Sequence, residues 1–228
     1  MLIDPYSWNT VRITNIVSES PDAVTLVTER PSGYTFRPGQ HAIVRATLKD
    51  GSERLRQYSF AHTSHENELY FTITRSPGGE VSSWCIDHAS RKSTIDISQP
   101  FTGPLDHNLS THRRIGMIAG GSGIVPIMSH LRTLRYAQLP THINLMYSTV
   151  SDKKCFVSEL VDSNKNEHIL VRLTDTQPRF SRSEIVEHMK DCDVILLCGS
   201  RQFVTALQSI CHETFPDTPT LAEAFSLR

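Results

Sequence analysis

"GMIAGGSGIVPIM", residues 116–128, is the stretch from which the fold class of this chain can be read. An apolar run of strand type ends in Gly120, Gly121 and Gly123, and an apolar run with helical spacing follows at once. Glycines at such a turn let a ligand approach the backbone, and the free N–H groups at a helix start favour an anion. In a strand–helix–strand context the pattern predicts a phosphate site for a nucleotide. The alternative is a glycine-rich turn that serves packing alone.

The chain around this stretch alternates between strand-like and helix-like segments from about residue 114 onward. The predicted strands are 114–120, 143–149, 168–175 and 193–199, and the predicted helices are 124–138, 155–163, 183–190 and 202–215. This order predicts an α/β domain whose parallel sheet carries helices on both sides. Pro126 stands where the dinucleotide fingerprint has its third glycine, and the second strand runs into "YSTVSDKK" rather than an acidic residue. A common NAD-type Rossmann dehydrogenase is therefore not expected.

The first half of the chain has a different rhythm, with period-two alternation and turn residues between short runs. The predicted strands are 11–20, 23–30, 41–48, 54–62, 69–75 and 94–101, with one helix over 79–89. Six strands at this spacing predict a small antiparallel β-barrel. We expect a barrel domain over 1–106, a polar linker over 104–114 and an α/β domain over 114–228.

Composition excludes several classes of function. With 38% hydrophobic residues, 21% charged residues and a formal net charge of −1, the chain predicts a globular protein without affinity for nucleic acid or anionic membranes. No apolar run is long enough to span a bilayer, and the start lacks the pattern of a signal peptide. The five cysteines form no CxxC pair, so a zinc or iron–sulfur site is not expected. These features predict a cytoplasmic protein with free thiols and no metal.

"RLRQYSFAH", residues 54–62, ends a predicted strand with polar side chains. Arg56 and Tyr58 share one face of such a strand, while Gln57 and Ser59 share the other. The alternative is an ordinary barrel strand with a surface arginine and a half-buried tyrosine.

Two further stretches have the same character. "GGEVSSWCIDH" (78–88) leads from a glycine pair into a helix start, where Ser82 could help to hold a second phosphate; an N-capping serine is the alternative. "LLCGS" (196–200) places Cys198 at the carboxyl end of a predicted parallel strand, where ligands of open sheets bind. A buried structural cysteine is the alternative there.

These motifs, taken in order, resemble the ferredoxin–NADP(H) reductase superfamily. The resemblance rests on Arg-x-Tyr-Ser, Gly-x-Val-Ser, Gly-Gly-x-Gly-Ile-x-Pro, Cys-Gly and a C-terminal Glu-x-Phe, with "FRPGQHAIV" before the third strand. It covers nearly the whole chain. Two departures exist, because Ser200 follows Cys-Gly where the family often has proline, and three residues follow Phe225.

The resemblance implies a role for each motif residue. Arg56 would pair with a flavin phosphate, Tyr58 would stack on the isoalloxazine, and Ser59 would hydrogen-bond near flavin N5. Ile73 and Arg75 would line the flavin through backbone or side chain, and the other implied flavin contacts are Gln57, Thr74, Gly79, Val81, Ser82 and Phe225. The implied nicotinamide-dinucleotide contacts are Gly120, Gly121, Ser122, Gly123, Pro126, Thr149, Lys153, Cys198 and Gly199. The implied catalytic residues are Ser59, Cys198 and Glu223.

The function implied is that of an NAD(P)H-dependent flavoprotein reductase. Hydride would pass from NAD(P)H to bound FAD, with FMN less favoured, and electrons would pass on to a ferredoxin, a flavodoxin or an oxygenase component. Thr149, Ser151, Lys153 and Lys154 could accept a 2′-phosphate, which favours NADPH over NADH; a solvated lysine pair is the alternative. The alternative functions are a reductase subunit of a multi-component enzyme and a non-catalytic nucleotide-binding module.

Overall fold

The computed structural model describes residues 6–151, 156–161 and 164–225 and shows two sheets in succession. The first is a six-stranded antiparallel sheet in the order β4-β3-β6-β1-β2-β5. Its strands are β1 (Asn9–Ser20), β2 (Ala23–Glu29), β3 (His41–Thr47), β4 (Glu53–Ser59), β5 (Glu68–Thr74) and β6 (Thr94–Ile97). A bridge between Phe60 and Phe71 joins the two edges of this sheet, so it curls into a barrel, as predicted.

The second sheet is five-stranded and parallel, in the order β11-β10-β7-β8-β9. Its strands are β7 (Arg114–Gly120), β8 (His142–Thr149), β9 (Glu167–Leu173), β10 (Val194–Ser200) and β11 (Thr220–Phe225). The helices are α1 (Glu80–Asp87) in the barrel and α2 (Ile124–Ala137), α3 (Val157–Val161), α4 (Arg182–Met189) and α5 (Arg201–Thr214) in the second domain. No helix in the described ranges is long and apolar enough to cross a bilayer.

Helices cover both faces of the parallel sheet, which confirms the predicted fold class. On one face, Leu131 of α2 and Leu160 of α3 pack on the sheet within one buried cluster. On the other face, Ile185 of α4 and Leu207 of α5 belong to a separate cluster. The strands between them are buried on both sides, which explains why "RIGMIAG" and "VILLCG" are continuous apolar runs.

Two features differ from the sequence expectation. The sequence does not predict strand β11, because "TLAEAF" is only half-buried and contains helix-favouring alanine and glutamate; its pairing with β10 makes it a strand. The segment 104–114 is expected to be a polar linker, yet Leu105 and Leu109 are buried in the core that α2 covers. The connection between the domains is therefore part of the packed structure.

Candidate functional site

The end of strand β4 presents a cation and a hydroxyl that its neighbours leave available. The Arg56 guanidinium donates to the carbonyl of Leu55 at 2.7 Å, and no described carboxylate pairs with it. Ser59 lies opposite His41 on β3, and its hydroxyl has no hydrogen-bond partner among residues 6–151, 156–161 and 164–225. Between them, Tyr58 packs against the barrel core, and burial raises the pKa of its phenol, which stays protonated. Arg56 and Tyr58 are half-buried on one side of the strand, whereas Gln57 is exposed on the other, as predicted.

Helix α1 begins without a side-chain cap. Its N-cap residue is Gly79, so the alternative of an N-capping serine is wrong. The Ser82 hydroxyl instead accepts from the Ser76 N–H at 3.1 Å and donates to the Gly79 carbonyl at 3.1 Å, which ties the loop to the first turn. A Cβ at Gly79 would lie 2.7 Å from the Ser82 Oγ and 2.9 Å from the Ser76 Cβ, so a side chain there would disturb these contacts. The uncapped first turn can receive an anion through its backbone N–H groups.

The residues around this helix start differ in what they can offer. Arg75 forms a two-point ion pair with Asp87, at 2.9 and 2.7 Å, and its backbone N–H donates to the Asp22 carbonyl at 2.7 Å. Ile73 and Val81 are buried in the barrel core, and Thr74 is half-buried at the end of β5. The implied contacts of Ile73 and Val81 must therefore come from main-chain atoms.

The glycine loop after β7 is built for close approach. Gly121 has a φ of +54°, a left-handed conformation that side chains disfavour, and the space around its missing Cβ is open. A Cβ at Gly123 would lie 2.3 Å from the carbonyl oxygen of Cys198, so the loop packs directly on β10. Ser122 is half-buried, and Pro126 is buried in the first turn of α2. Packing explains Gly123, and the open space beside Gly121 leaves room for a ligand.

The end of β10 forms one wall beside this loop. Cys198 is fully buried, and burial raises the pKa of its thiol well above the ordinary range, so it remains protonated. The ring of Phe203 fills the space that side chains would take at both glycines beside it, 3.0 Å from a Cβ on Gly120 and 2.7 Å from one on Gly199. Sequence analysis missed Phe203; its signal is an apolar residue in the first turn of the helix that follows Cys-Gly-Ser.

Strand β11 carries an acid to the boundary between the domains. Glu223 is aligned with Cys198, and Phe225 is aligned with Ser200 and packs against the core shared with α2. The Glu223 Oε2 atom is buried without a hydrogen-bond partner in the described part of the chain, and it lies 3.3 Å from a Cβ placed on Gly103. Burial raises the pKa of Glu223 to about 7. An acceptor oxygen without a donor at this point suits a ligand that supplies one.

Helix α2 joins the glycine loop to the barrel. The Ser129 hydroxyl donates to the carbonyl of His62 at 2.8 Å, and Arg132 donates to the carbonyl of Ala61. Arg132 also forms a two-point ion pair with Glu159. The residues just after Ser59 are thus hydrogen-bonded to the helix that begins at the glycine loop, so α2 connects the two motifs.

Other predicted positions are less informative. Thr149 is buried at the end of β8, and its carbonyl accepts from the Thr174 N–H at 2.8 Å. Lys153 and Lys154 lie outside the described residues, while Ser151 is half-buried beside them. Two cavities, of about 530 and 270 Å³, are lined by none of these residues.

The residues present fit a flavin and a nicotinamide dinucleotide. The available guanidinium of Arg56 and the uncapped start of α1 suit phosphate groups, and the open space at Gly121 suits a second dinucleotide. The carboxyl oxygen of Glu223 without a partner lies where the two domains meet.

Comparison with protein families divides the chain into the same two parts, a flavin-binding part and a nicotinamide-binding part. The family model of the oxidoreductase FAD-binding domain matches residues 10–105, and that of the oxidoreductase NAD-binding domain matches residues 117–209. Together they cover most of the chain.

Curated relatives are similar at lower identity. One component of the 1,2-phenylacetyl-CoA epoxidase of Escherichia coli (strain K12) is 28% identical over 163 residues, which are 68% of this chain and 45% of that protein. The ferredoxin–NAD(P)(+) reductase component of the naphthalene 1,2-dioxygenase system from Pseudomonas putida is 24% identical over 218 residues, 90% of this chain and 64% of that protein. The chain spans about half to two thirds of the length of these relatives.

Solved structures share the fold. A ferredoxin NADP+ reductase from Neisseria gonorrhoeae with bound FAD and NADP superposes with a TM-score of 0.81 at 16% identity, covering 95% of this chain and 98% of that one. The flavohem-like FAD/NAD-binding domain of nitric oxide dioxygenase from Vibrio cholerae gives 0.82 at 19% identity, with the same coverage. The matched domains, their order and this fold show that the chain belongs to the ferredoxin–NADP(H) reductase superfamily.

Proposed function

We propose that this protein is an NAD(P)H-dependent flavoprotein reductase that passes electrons from a nicotinamide dinucleotide, through FAD, to an electron-carrier protein. The observation that carries the proposal is the attachment of α2 to residues 61–62, since the helix that begins at the glycine loop is thereby fixed to the segment that follows β4. Hydride transfer needs such a fixed arrangement of two cofactors. The chemistry supplied by bound flavin is acceptance of a hydride and release of its electrons to a carrier.

Each motif residue has a role in this proposal. Arg56 binds a flavin phosphate by a charge-assisted hydrogen bond, and the first-turn N–H groups of α1 bind the pyrophosphate. Tyr58 offers its ring face to the flavin. The Ser59 hydroxyl has no other hydrogen-bond partner among the described residues, so it is able to donate to the reacting edge of the flavin.

The second domain holds and orients the nicotinamide dinucleotide. Gly121 and Ser122 bind its pyrophosphate through backbone N–H groups, and the ring of Phe203, which fills the space beside Gly120 and Gly199, forms the wall next to the nicotinamide. Glu223 can hold a proton near neutral pH, because its pKa is about 7. Cys198 stays protonated and shapes the wall of the site.

The electron acceptor is proposed to be a separate protein, either an oxygenase component or a ferredoxin or flavodoxin. The names of the relatives support an oxygenase system, since they include reductase and electron transfer components of naphthalene and toluate dioxygenases. If the protein is a reductase subunit of a multi-component oxygenase, it carries out the same electron transfer within that enzyme.

Domain boundaries at 1–106 and 114–228 are proposed as well, supported by the ranges of the two family matches. A cytoplasmic location is proposed on the cysteines that the structure describes, Cys85, Cys192, Cys198 and Cys211, whose buried free thiols suit a reducing compartment.

The direct test is flavin retention. Arg56→Ala removes a charge-assisted contact of about 1.5–3 kcal/mol, so the dissociation constant for FAD should rise at least tenfold. Tyr58→Ala should also weaken binding. Flavin absorbance per protein, measured after gel filtration, gives the result. Arg91→Ala is the matched control, since Arg91 is an exposed barrel arginine that donates to Asn15 at 2.7 Å. Full flavin content in both Arg56→Ala and Tyr58→Ala would contradict the assignment and favour a non-catalytic module.

Preference for NADPH over NADH is proposed from Thr149, Ser151 and the lysines that follow. Comparison of kcat/KM for the two nucleotides, before and after Lys153→Ala and Lys154→Ala, tests it. A higher value for NADPH that both substitutions lower is expected. Equal values for NADH and NADPH in the unchanged protein would contradict the preference.

A further inference from the structure

A cavity of about 270 Å³ lies between the two domains. It is bounded by Arg37 and Pro38 before β3, by residues 106–110 of the connecting segment, and by one face of α2 with Leu139. None of the flavin or nicotinamide residues named above lines it. A cavity of about 150 Å³ holds benzene, so this volume accommodates one substituted ring.

His130 on α2 supplies a polar atom to this cavity without a partner. It is 2% exposed, and its Nε2 lies 2.9 Å from the carbonyl oxygen of Leu105. Because a carbonyl only accepts, Nε2 must donate, which leaves Nδ1 as the acceptor of a neutral ring. Burial lowers the pKa of His130 to about 4, in agreement with that neutral form. No described residue donates to Nδ1, so this nitrogen is left to accept a hydrogen bond from a molecule in the cavity that His130 lines.

The charged groups at the cavity offset one another. The buried Asp106 carboxylate accepts from Arg37 at 2.9 and 2.7 Å and from Gln40 at 2.9 Å. Its negative charge is therefore matched by the Arg37 guanidinium. Leu109 and Leu134 supply apolar wall between these groups and the helix. An ionised ligand would lose its hydration here without finding an unpaired opposite charge.

We propose that this cavity binds a small neutral molecule that has an apolar ring and one hydroxyl or N–H donor, with the donor directed to Nδ1 of His130. The apolar walls favour a ligand with an apolar ring, and the unpaired nitrogen favours one with a hydrogen-bond donor. Because Asp106 is already paired with Arg37, a charged ligand finds no opposite charge to bind. The site shares no lining residue with the proposed cofactor contacts, and its residues come from both domains and the segment that connects them.

Three probe molecules test the proposed chemistry on the purified full chain. Phenol has the ring and the donor, toluene has the ring alone, and benzoate carries a charge. Titrations followed by ligand-observed NMR should show that phenol binds about tenfold more tightly than toluene, because phenol makes one additional buried hydrogen bond. Benzoate should bind about tenfold more weakly than phenol. Equal affinity for phenol and toluene, or no binding of phenol, would overturn the proposal.

A pair of matched variants locates the binding. Ala137 is exposed on α2 at the cavity wall, so Ala137→Leu narrows the cavity at a position where a helix accepts leucine. Ala206→Leu is the same change at an exposed position of α5 that does not line the cavity. Phenol affinity should fall at least tenfold in the first variant and stay unchanged in the second. An unchanged affinity in Ala137→Leu would place phenol elsewhere and overturn the proposal, whereas flavin content, measured in parallel, reports on the proposed reductase function separately.

Discussion

Glu223 shows what burial does to a single residue at this site. Its carboxyl group lies at the domain boundary with one oxygen unpartnered, and desolvation raises its pKa from 4.5 to about 7. Gly123 shows the opposite requirement, since the backbone of β10 leaves no space for any side chain there. The environments of both residues are set by packing against β10 and its neighbours and not by the adjacent sequence.

Glu223→Gln should change the pH dependence of stability. Since the folded pKa is raised, the folded state keeps a proton that the unfolded chain releases above pH 4.5, and stability falls as pH rises through 7. The free energy of unfolding at pH 8 should therefore increase by roughly 1–3 kcal/mol in Glu223→Gln, with little change near pH 4. Urea denaturation at both pH values measures this. Glu187→Gln, at an exposed glutamate, is the control and should show no such gain.

Gly123→Ala should damage both packing and nucleotide binding. The added methyl group would meet the Cys198 carbonyl oxygen at 2.3 Å, which backbone movement must relieve. We expect a loss of about 1–3 kcal/mol in unfolding free energy and a higher KM for NAD(P)H. Ser122→Ala in the same loop is the control for stability. A variant with wild-type stability and KM would show that the loop is not held against β10.

Helix α2 is the element on which the arrangement of the site depends. It starts at the glycine loop, lines the sheet core with Leu131, and holds the barrel through Ser129 and Arg132. The side chain of Arg132 is 13% exposed, and its guanidinium lies 4.8 Å from the centre of the Phe156 ring. One helix therefore determines how the nucleotide loop sits relative to the end of β4.

Arg132→Met should be far more damaging than the same change in a surface ion pair. It removes the donor to the Ala61 carbonyl and leaves the Glu159 carboxylate with only the longer contact to Arg135, at 3.8 Å, so we expect a loss of about 2–4 kcal/mol in unfolding free energy. Arg12→Met is the matched control, because Arg12 and Glu29 are 61% and 48% exposed and such pairs contribute less than about 1 kcal/mol. Similar losses in the two variants would show that the α2 contact does not join the domains.

At the scale of the whole molecule, the two domains share a core. The cluster under α2 includes Ala61 from the barrel side and Leu105 and Leu109 from the connecting segment. The barrel's other buried residues form a separate cluster around Leu26 and Phe71. Unfolding one domain would expose apolar surface of the other, which couples their stability.

This coupling predicts one unfolding transition seen by two probes. Both tryptophans, Trp8 and Trp84, belong to the barrel, whereas four of the five described α-helices belong to the second domain. Tryptophan fluorescence and far-UV circular dichroism should therefore give the same denaturation midpoint. Leu105→Ala should lower the unfolding free energy by about 2–5 kcal/mol and shift both midpoints to lower denaturant concentration. Leu55→Ala, at a 43% exposed position, should change the unfolding free energy little. Separate midpoints in the unchanged protein would contradict a shared core.

Both sheets and most of the motifs follow from the amino-acid sequence alone. Period-two alternation predicted six barrel strands, and continuous apolar runs predicted four parallel strands, because these patterns follow directly from side-chain periodicity and burial. The glycines and the Arg-x-Tyr-Ser motif were visible for the same reason, since their chemistry is local.

Features that need distant residues arise from the tertiary structure instead. Strand β11 exists because β10 lies beside it, and the contact of Phe203 with Gly120 and Gly199 joins two loops about 80 residues apart. The unpartnered oxygen of Glu223 and the contacts of α2 with residues 61–62 likewise depend on how the domains meet. Burial and hydrogen bonding at such places are properties of the packed chain, so no local pattern could encode them.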